Sequence, residues 1–167
     1  MNHSAKAARE TADETLQKAV WDLAQDVKIC MLVTWDKVHL RSRPMTLRSD
    51  QRTGEFQFLA ALNSEAVADI RSSPEVNLSF SAPGTQDYVS VSGHATVAQD
   101  SHLRRDLWTA DAERYFGGGP ENPDVAVIRV TPHLAESWDA ASGTVRALCK
   151  FLKRDPAAST EHVKVAF

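Results

Sequence analysis

Three guanidinium groups fall within eight residues of one another in the segment His39-Leu40-Arg41-Ser42-Arg43-Pro44-Met45-Thr46-Leu47-Arg48. A guanidinium offers planar, fork-shaped donors that match a pair of anionic oxygens, so the chemistry this spacing suggests is capture of a phosphate. Alternation predicts a strand here, and Pro44, which cannot donate to a ladder, predicts an edge position or a bulge within it. A bulge would change which side chains share a face and let Arg43 and Arg48 converge. The competing reading is a solvated edge strand whose charge guards against aggregation.

Elsewhere the chain lacks the signatures of common catalytic sites. It has no G-x-S-x-G elbow, no S-x-x-K pair, no H-E-x-x-H and no Walker loop, so hydrolase and kinase readings are weak. The 6 histidines are scattered and none forms an i, i+4 pair, so no metal site is expected. Gly117-Gly118-Gly119 has neither a dinucleotide-binding pattern nor a following Lys-Ser/Thr and reads as a plain loop. Cys30 and Cys149 form neither a C-x-x-C pair nor a disulfide framework and read as buried thiols. The catalytic residues, if the chain is an enzyme, are not identified by any of these patterns.

The elements that must position the arginines are β-strands. Apolar alternation and turn residues mark strands at 29–35, 39–48, 55–61, 75–82, 86–99 and 124–138, which together suggest a barrel. The alternation is cleanest where Val76, Leu78 and Phe80 oppose Asn77, Ser79 and Ser81. Arg52-Thr53-Gly54-Glu55 and Ala82-Pro83-Gly84-Thr85 read as turns between antiparallel neighbours. A capping box at Thr11-Ala12-Asp13-Glu14 predicts a helix over 11–27, with Leu16, Ala19, Val20, Leu23 and Val27 on its apolar side. Asn63-Ser64 caps a short helix ending before Pro74, with Val67 and Ile70 inward. A longer helix follows Asp100, using Leu103, Leu107 and Trp108, and a terminal helix is expected over 143–153.

The 167 residues fit one domain, 1–167, with flexible tails at 1–10 and 156–167. Hydrophobic residues at 43% and charged residues at 25% are globular values. With 19 Lys and Arg against 22 Asp and Glu, a net charge of −3, nothing global favours nucleic acid or an anionic membrane. Any anion site is therefore local. The opening MNHSAKAARETADE has no apolar signal core, and the longest core-like apolar run, Ile29 to Val33, is too short to span a bilayer, so a cytoplasmic location is expected.

Taken in order, Met31-Leu32-Val33-Thr34, Leu40-Arg41-Ser42-Arg43-Pro44-Met45, Tyr88-Val89-Ser90-Val91-Ser92-Gly93, Phe116-Gly117-Gly118-Gly119-Pro120 and Glu136-Ser137-Trp138-Asp139 resemble the general stress protein branch of the pyridoxamine 5′-phosphate oxidase-like family, over about residues 16–153. The resemblance implies a six-stranded antiparallel split β-barrel with flanking helices, a homodimer, and flavin mononucleotide (FMN) in a cleft shared by two subunits. It implies that Arg43, Pro44, Met45, Thr46, Leu47 and Arg48 hold the flavin phosphate and ring edge, with Arg43 and Arg48 at the two basic positions. Leu59, Ala60, Ser64, Tyr88 and Trp138 are the other cofactor-binding positions so implied, though Trp138 also reads as a packing aromatic at the barrel rim.

The departures bear on the phosphate. Where the family commonly has threonine and then Ser-x-Lys or Ser-Arg-Lys, this chain has Ala60 and then Ser64-Glu65-Ala66. Glu65 facing a phosphate about 5 Å away would cost about 3 kcal/mol per unit charge at an effective dielectric near 20. The Arg-x-His element of authentic pyridoxamine phosphate oxidases is missing after Trp138, which argues against vitamin B6 oxidation. Two readings stay open: an FMN-binding stress-type protein, with a flavin-dependent oxidoreductase among its forms, and a non-catalytic dimer that has lost tight flavin binding. Haem or a deazaflavin in the same cleft is a further option. A flavoprotein needs no strong side-chain acid or base, because the redox chemistry belongs to the flavin ring.

Overall fold

In the computed structural model, residues 14, 17–82, 84 and 87–139 are described, together with the backbone of 144–149. The predicted tails, the capping box at Thr11 and parts of the Ala82–Thr85 turn lie outside the described residues.

Helix α1 (17–27) leads into β1 (Ile29–Trp35), β2 (Leu40–Asp50) and β3 (Glu55–Ala61). Helix α2 (Glu65–Ser72) joins β3 to β4 (Glu75–Ala82) and β5 (Asp87–Ala98). Helices α3 (Ser101–Leu107) and α4 (Ala110–Phe116) precede the long β6 (Val125–Asp139) and then β7 (Thr144–Cys149). The sheet runs β3-β2-β1-β4-β5-β6-β7, and an additional β3–β6 ladder closes its first six strands into a barrel. Every ladder is antiparallel.

Period-2 alternation sends Cys30, Leu32, Phe56, Phe58, Val76, Leu78, Phe80, Val89 and Val91 into one core. Helix α1 covers it with Val20, Trp21 and Ala24, and the Trp21 ring stacks on Phe56 with centroids 4.3 Å apart. The buried face of α1 is therefore rotated from the expected one: Ala19 is exposed, because burying the large indole of Trp21 is worth more than burying a methyl. At the Ser92/Gly93 bulge β5 presses onto β6, and a Cβ on Gly93 would lie 2.7 Å from Val130 Cγ1 and 2.8 Å from the Thr131 carbonyl oxygen. Only glycine fits that crossing.

Two expected helices differ. The helix after Asp100 is two, because Trp108 is extended and the Thr109 side chain accepts a bond from the Ala112 N–H to start α4. The predicted helix over 143–153 is a strand over 144–149, added to the edge of β6. An open strand edge supplies ladder bonds that a short, weakly periodic segment outside the barrel cannot match as a helix.

Pro44 sits at a strand edge. It pairs with Met31 of β1, while the β2–β3 ladder covers only Leu47–Asp50 against Phe58–Glu55. Residues 43–46 and 59–61 thus flank a parting between β2 and β3, the split of the barrel.

Candidate functional site

Strand parity decides where the arginines go. Along β2, Arg41, Arg43, Met45 and Leu47 turn to the inner side, and Ser42, Pro44, Thr46 and Arg48 turn out. No bulge interrupts the β1–β2 register, so Arg43 and Arg48 do not converge.

Arg41 and Arg43 meet α2 at the barrel end. The apolar stripe of α2 is Ala66, Val67 and Ile70, and Asp69 lies within it, only 4% exposed. A buried carboxylate must be paired. Thr34 Oγ1 donates to Asp69 Oδ2 at 2.7 Å, Arg41 Nη2 donates to Asp69 Oδ1 at 3.0 Å, and Arg43 Nη2 reaches Asp69 Oδ2 at 3.4 Å. Arg43 Nη1 in turn donates to Thr34 Oγ1 at 2.8 Å. Arg41 also takes Asp36 Oδ2 at 3.2 Å and, from the solvent side, Glu65 Oε2 at 2.6 Å. Asp36 itself is held below the usual carboxylate range by the backbone N–H groups of His39 and Val38, against some desolvation, with Arg41 adding to the effect. Desolvation works against the Arg41 charge, yet Glu65, Asp69 and Asp36 together hold its pKa above the ordinary arginine value. Two guanidiniums thus face three carboxylates.

One donor is left over: Arg41 Nε is buried and makes no hydrogen bond. The network ties β1, β2 and α2 together, and its charge is spent internally.

Arg48 is placed differently. It is exposed, donates to the Asp106 carbonyl oxygen at 2.6 Å in the last turn of α3, and has no carboxylate partner among the described residues. Thr46 and Pro44 continue its outward row. Leu59 is half-buried beside the split, Ala60 points into the core, and the Ser64 hydroxyl accepts the Val67 N–H at 3.4 Å as the cap of α2. Tyr88 and Trp138 are direct cross-strand partners on β5 and β6, 46% and 37% exposed.

The expected cofactor positions therefore form two groups. Gln57 links Arg48 to Arg129 across the sheet, and Trp138 lies roughly 30 Å further along β6 as extended chain. Thr34, Asp36 and Asp69 are the members that sequence reasoning missed. The available signal was an acid one turn after Glu65 in the apolar stripe of α2.

A closed six-stranded antiparallel barrel with a parting between β2 and β3, plugged at one end by a short helix, defines a class of split-barrel proteins. A family model described as "Pyridoxamine 5′-phosphate oxidase like" matches residues 15–161, and the chain belongs to that family, in its general stress protein branch. It is 32% identical to Protein bli-3 of Neurospora crassa over 158 residues, covering 84% of this chain and 75% of that protein. It is 25% identical to General stress protein 26 of Bacillus subtilis over 134 residues, covering 78% and 94%. The crystal structure of the general stress FMN/FAD binding protein of Xanthomonas citri superposes with a TM-score of 0.66 at 21% identity, covering 92% of this chain and 99% of that one. That last likeness is one of fold.

Proposed function

We propose that the chain is a flavin-binding protein of the general stress type, working as a cytoplasmic homodimer with FMN in a cleft shared by two copies. The observation that carries this is the outer sheet face. Ile29, Met31, Trp35, Leu40, Tyr88 and Trp138 are large apolar side chains exposed on the strands of one barrel, which a second copy would cover. A dimer also reconciles the two groups of ligand positions: the split with Thr46 and Arg48 from one subunit, and Tyr88 with Trp138 from its partner. The relative described as an FMN/FAD binding protein supports a flavin as the ligand.

The residues fit one part of a flavin better than another. Strand edges at 43–46 and 59–61 and exposed aromatics suit the ring. The Arg41–Arg43 cluster, with more carboxylates than guanidiniums, does not suit the phosphate as it stands. When bound, a flavin would supply hydride and electron transfer at its ring, and an oxidoreductase activity is proposed on that basis. This chain's own residues would orient the ring and exclude water.

A second reading, a dimer without tight flavin binding, draws on that same cluster. The visible spectrum of freshly purified protein, before and after adding FMN, separates the two. A flavin band that stays with the protein supports the first reading, and a colourless protein that takes up none supports the second.

A further inference from the structure

The ion pair between Arg41 and Glu65 has a one-sided geometry. Arg41 Nη2 faces inward to Asp69 and Asp36, both largely enclosed, whereas Nη1 faces outward to Glu65 Oε2, and the Glu65 side chain is 75% exposed. Asp69 is fixed by Thr34 and by both arginines. Glu65, by contrast, has Arg41 as its one ion-pair partner among the described residues and stands in water. An exposed side-chain carboxylate on a guanidinium occupies the position that an external phosphate oxygen would take, and it is held weakly enough to exchange. Beside it, the Nε donor of Arg41 is buried and unbonded.

We infer that Glu65 is a built-in competitor for the anion position at Arg41, and that the chain therefore takes flavins by their ring with no preference for the phosphate. The ligand class is the phosphate-free flavin, of which riboflavin is the simplest, as well as FMN. Glu65 is the specificity-determining residue. The inference rests on the flavin reading for its ligand class, but the anion position itself does not. Charge supports it: the cluster carries an excess of one carboxylate with Glu65 present, so a phosphate would add to the repulsion. Replacing Glu65 with a neutral residue balances the charges and frees Nη1.

The test compares the parent, Glu65→Gln and the double variant Glu65→Gln with Arg41→Ala. Each is titrated with FMN and with riboflavin by flavin fluorescence, and melted with and without inorganic phosphate. The parent should bind the two flavins within about threefold of each other, and Glu65→Gln should raise the FMN preference about tenfold, as expected for one charge-assisted contact. Phosphate should raise the melting temperature of Glu65→Gln, leave the parent unmoved, and leave the double variant unmoved. A parent that prefers FMN more than tenfold, or a Glu65→Gln variant that responds to phosphate like the parent, overturns the inference while leaving flavin binding intact. If neither flavin binds any variant yet phosphate still raises the melting temperature of Glu65→Gln alone, the anion position stands and the flavin reading falls.

Discussion

Thr34 and Asp69 are joined by a buried 2.7 Å hydrogen bond that ties β1 to α2 at the end of the barrel. The Asp69 carboxylate is also the inner partner of Arg41 and Arg43. Asp69→Asn should therefore cost about 3 kcal/mol, because two guanidiniums lose the charge that brought them together. Thr34→Val, which removes only the hydroxyl, should cost about 1–2 kcal/mol. Urea denaturation measures both. Equal and negligible losses would mean that the network is not what holds α2 in place.

The two basic positions of β2 should separate by property. Arg43→Ala removes contacts to Thr34 and Asp69 and should lower stability by about 1–2 kcal/mol. Arg48→Ala loses one exposed bond to the Asp106 carbonyl and should stay within about 1 kcal/mol of the parent while weakening FMN and riboflavin alike, by about tenfold, as a contact to the ring edge. Denaturation and flavin titration on both variants settle the division. The reverse pattern would place the ligand on the inner row of β2.

That division was not legible in the sequence, and the reason is parity. Arg43 and Arg48 are five positions apart, an odd offset, so an unbulged strand sends them to opposite sides; Pro44 suggests a bulge, but it is accommodated by an edge instead. Strands β1, β3 and β4 were fully legible, since their alternation and flanking turns are local signals. Strand β7 was not, because Val145 and Leu148 also fit a helix, and only the open edge of β6 decides between the two. Asp69 stayed hidden because its partners come from β1 and β2, 26 to 35 residues away in sequence.

Gly93→Ala should destabilise by about 2–3 kcal/mol, since its Cβ would meet Val130 and the Thr131 carbonyl below van der Waals distance. Gly54→Ala meets nothing within 4 Å and carries only the strain of φ +69°, so about 1 kcal/mol is expected. Thermal melts rank the pair. A milder effect at Gly93 than at Gly54 would show that the β5–β6 crossing can relax.

Glu75 bridges two imidazoles, with His133 Nε2 at 2.9 Å and His94 Nδ1 at 3.2 Å. The His133 hydrogen bond, opposed by some desolvation and aided by His94, holds the Glu75 pKa below its ordinary value. A lowered carboxyl pKa stabilises the fold above the unfolded value near 4.3, and that contribution is lost as pH falls through the folded value. Glu75→Gln should thus lose less than about 1 kcal/mol near pH 5, given how exposed the group is, and nothing at the acid end. A stability gap that widens on acidification would contradict the assignment.

Burial pushes the Cys30 thiol up to about 12. In a Cys149→Ser background the native protein should react with a thiol reagent at pH 8 only as fast as it unfolds. Rapid labelling without denaturant would mean that the β1 side of the core is open.

A flavin shared between two copies is tested in one experiment by sedimentation velocity followed at the visible absorbance of FMN. The prediction is a flavin-coloured boundary moving as a species of about twice 18.4 kDa. Colour that stays behind with free FMN, or that travels with a single chain, would contradict it.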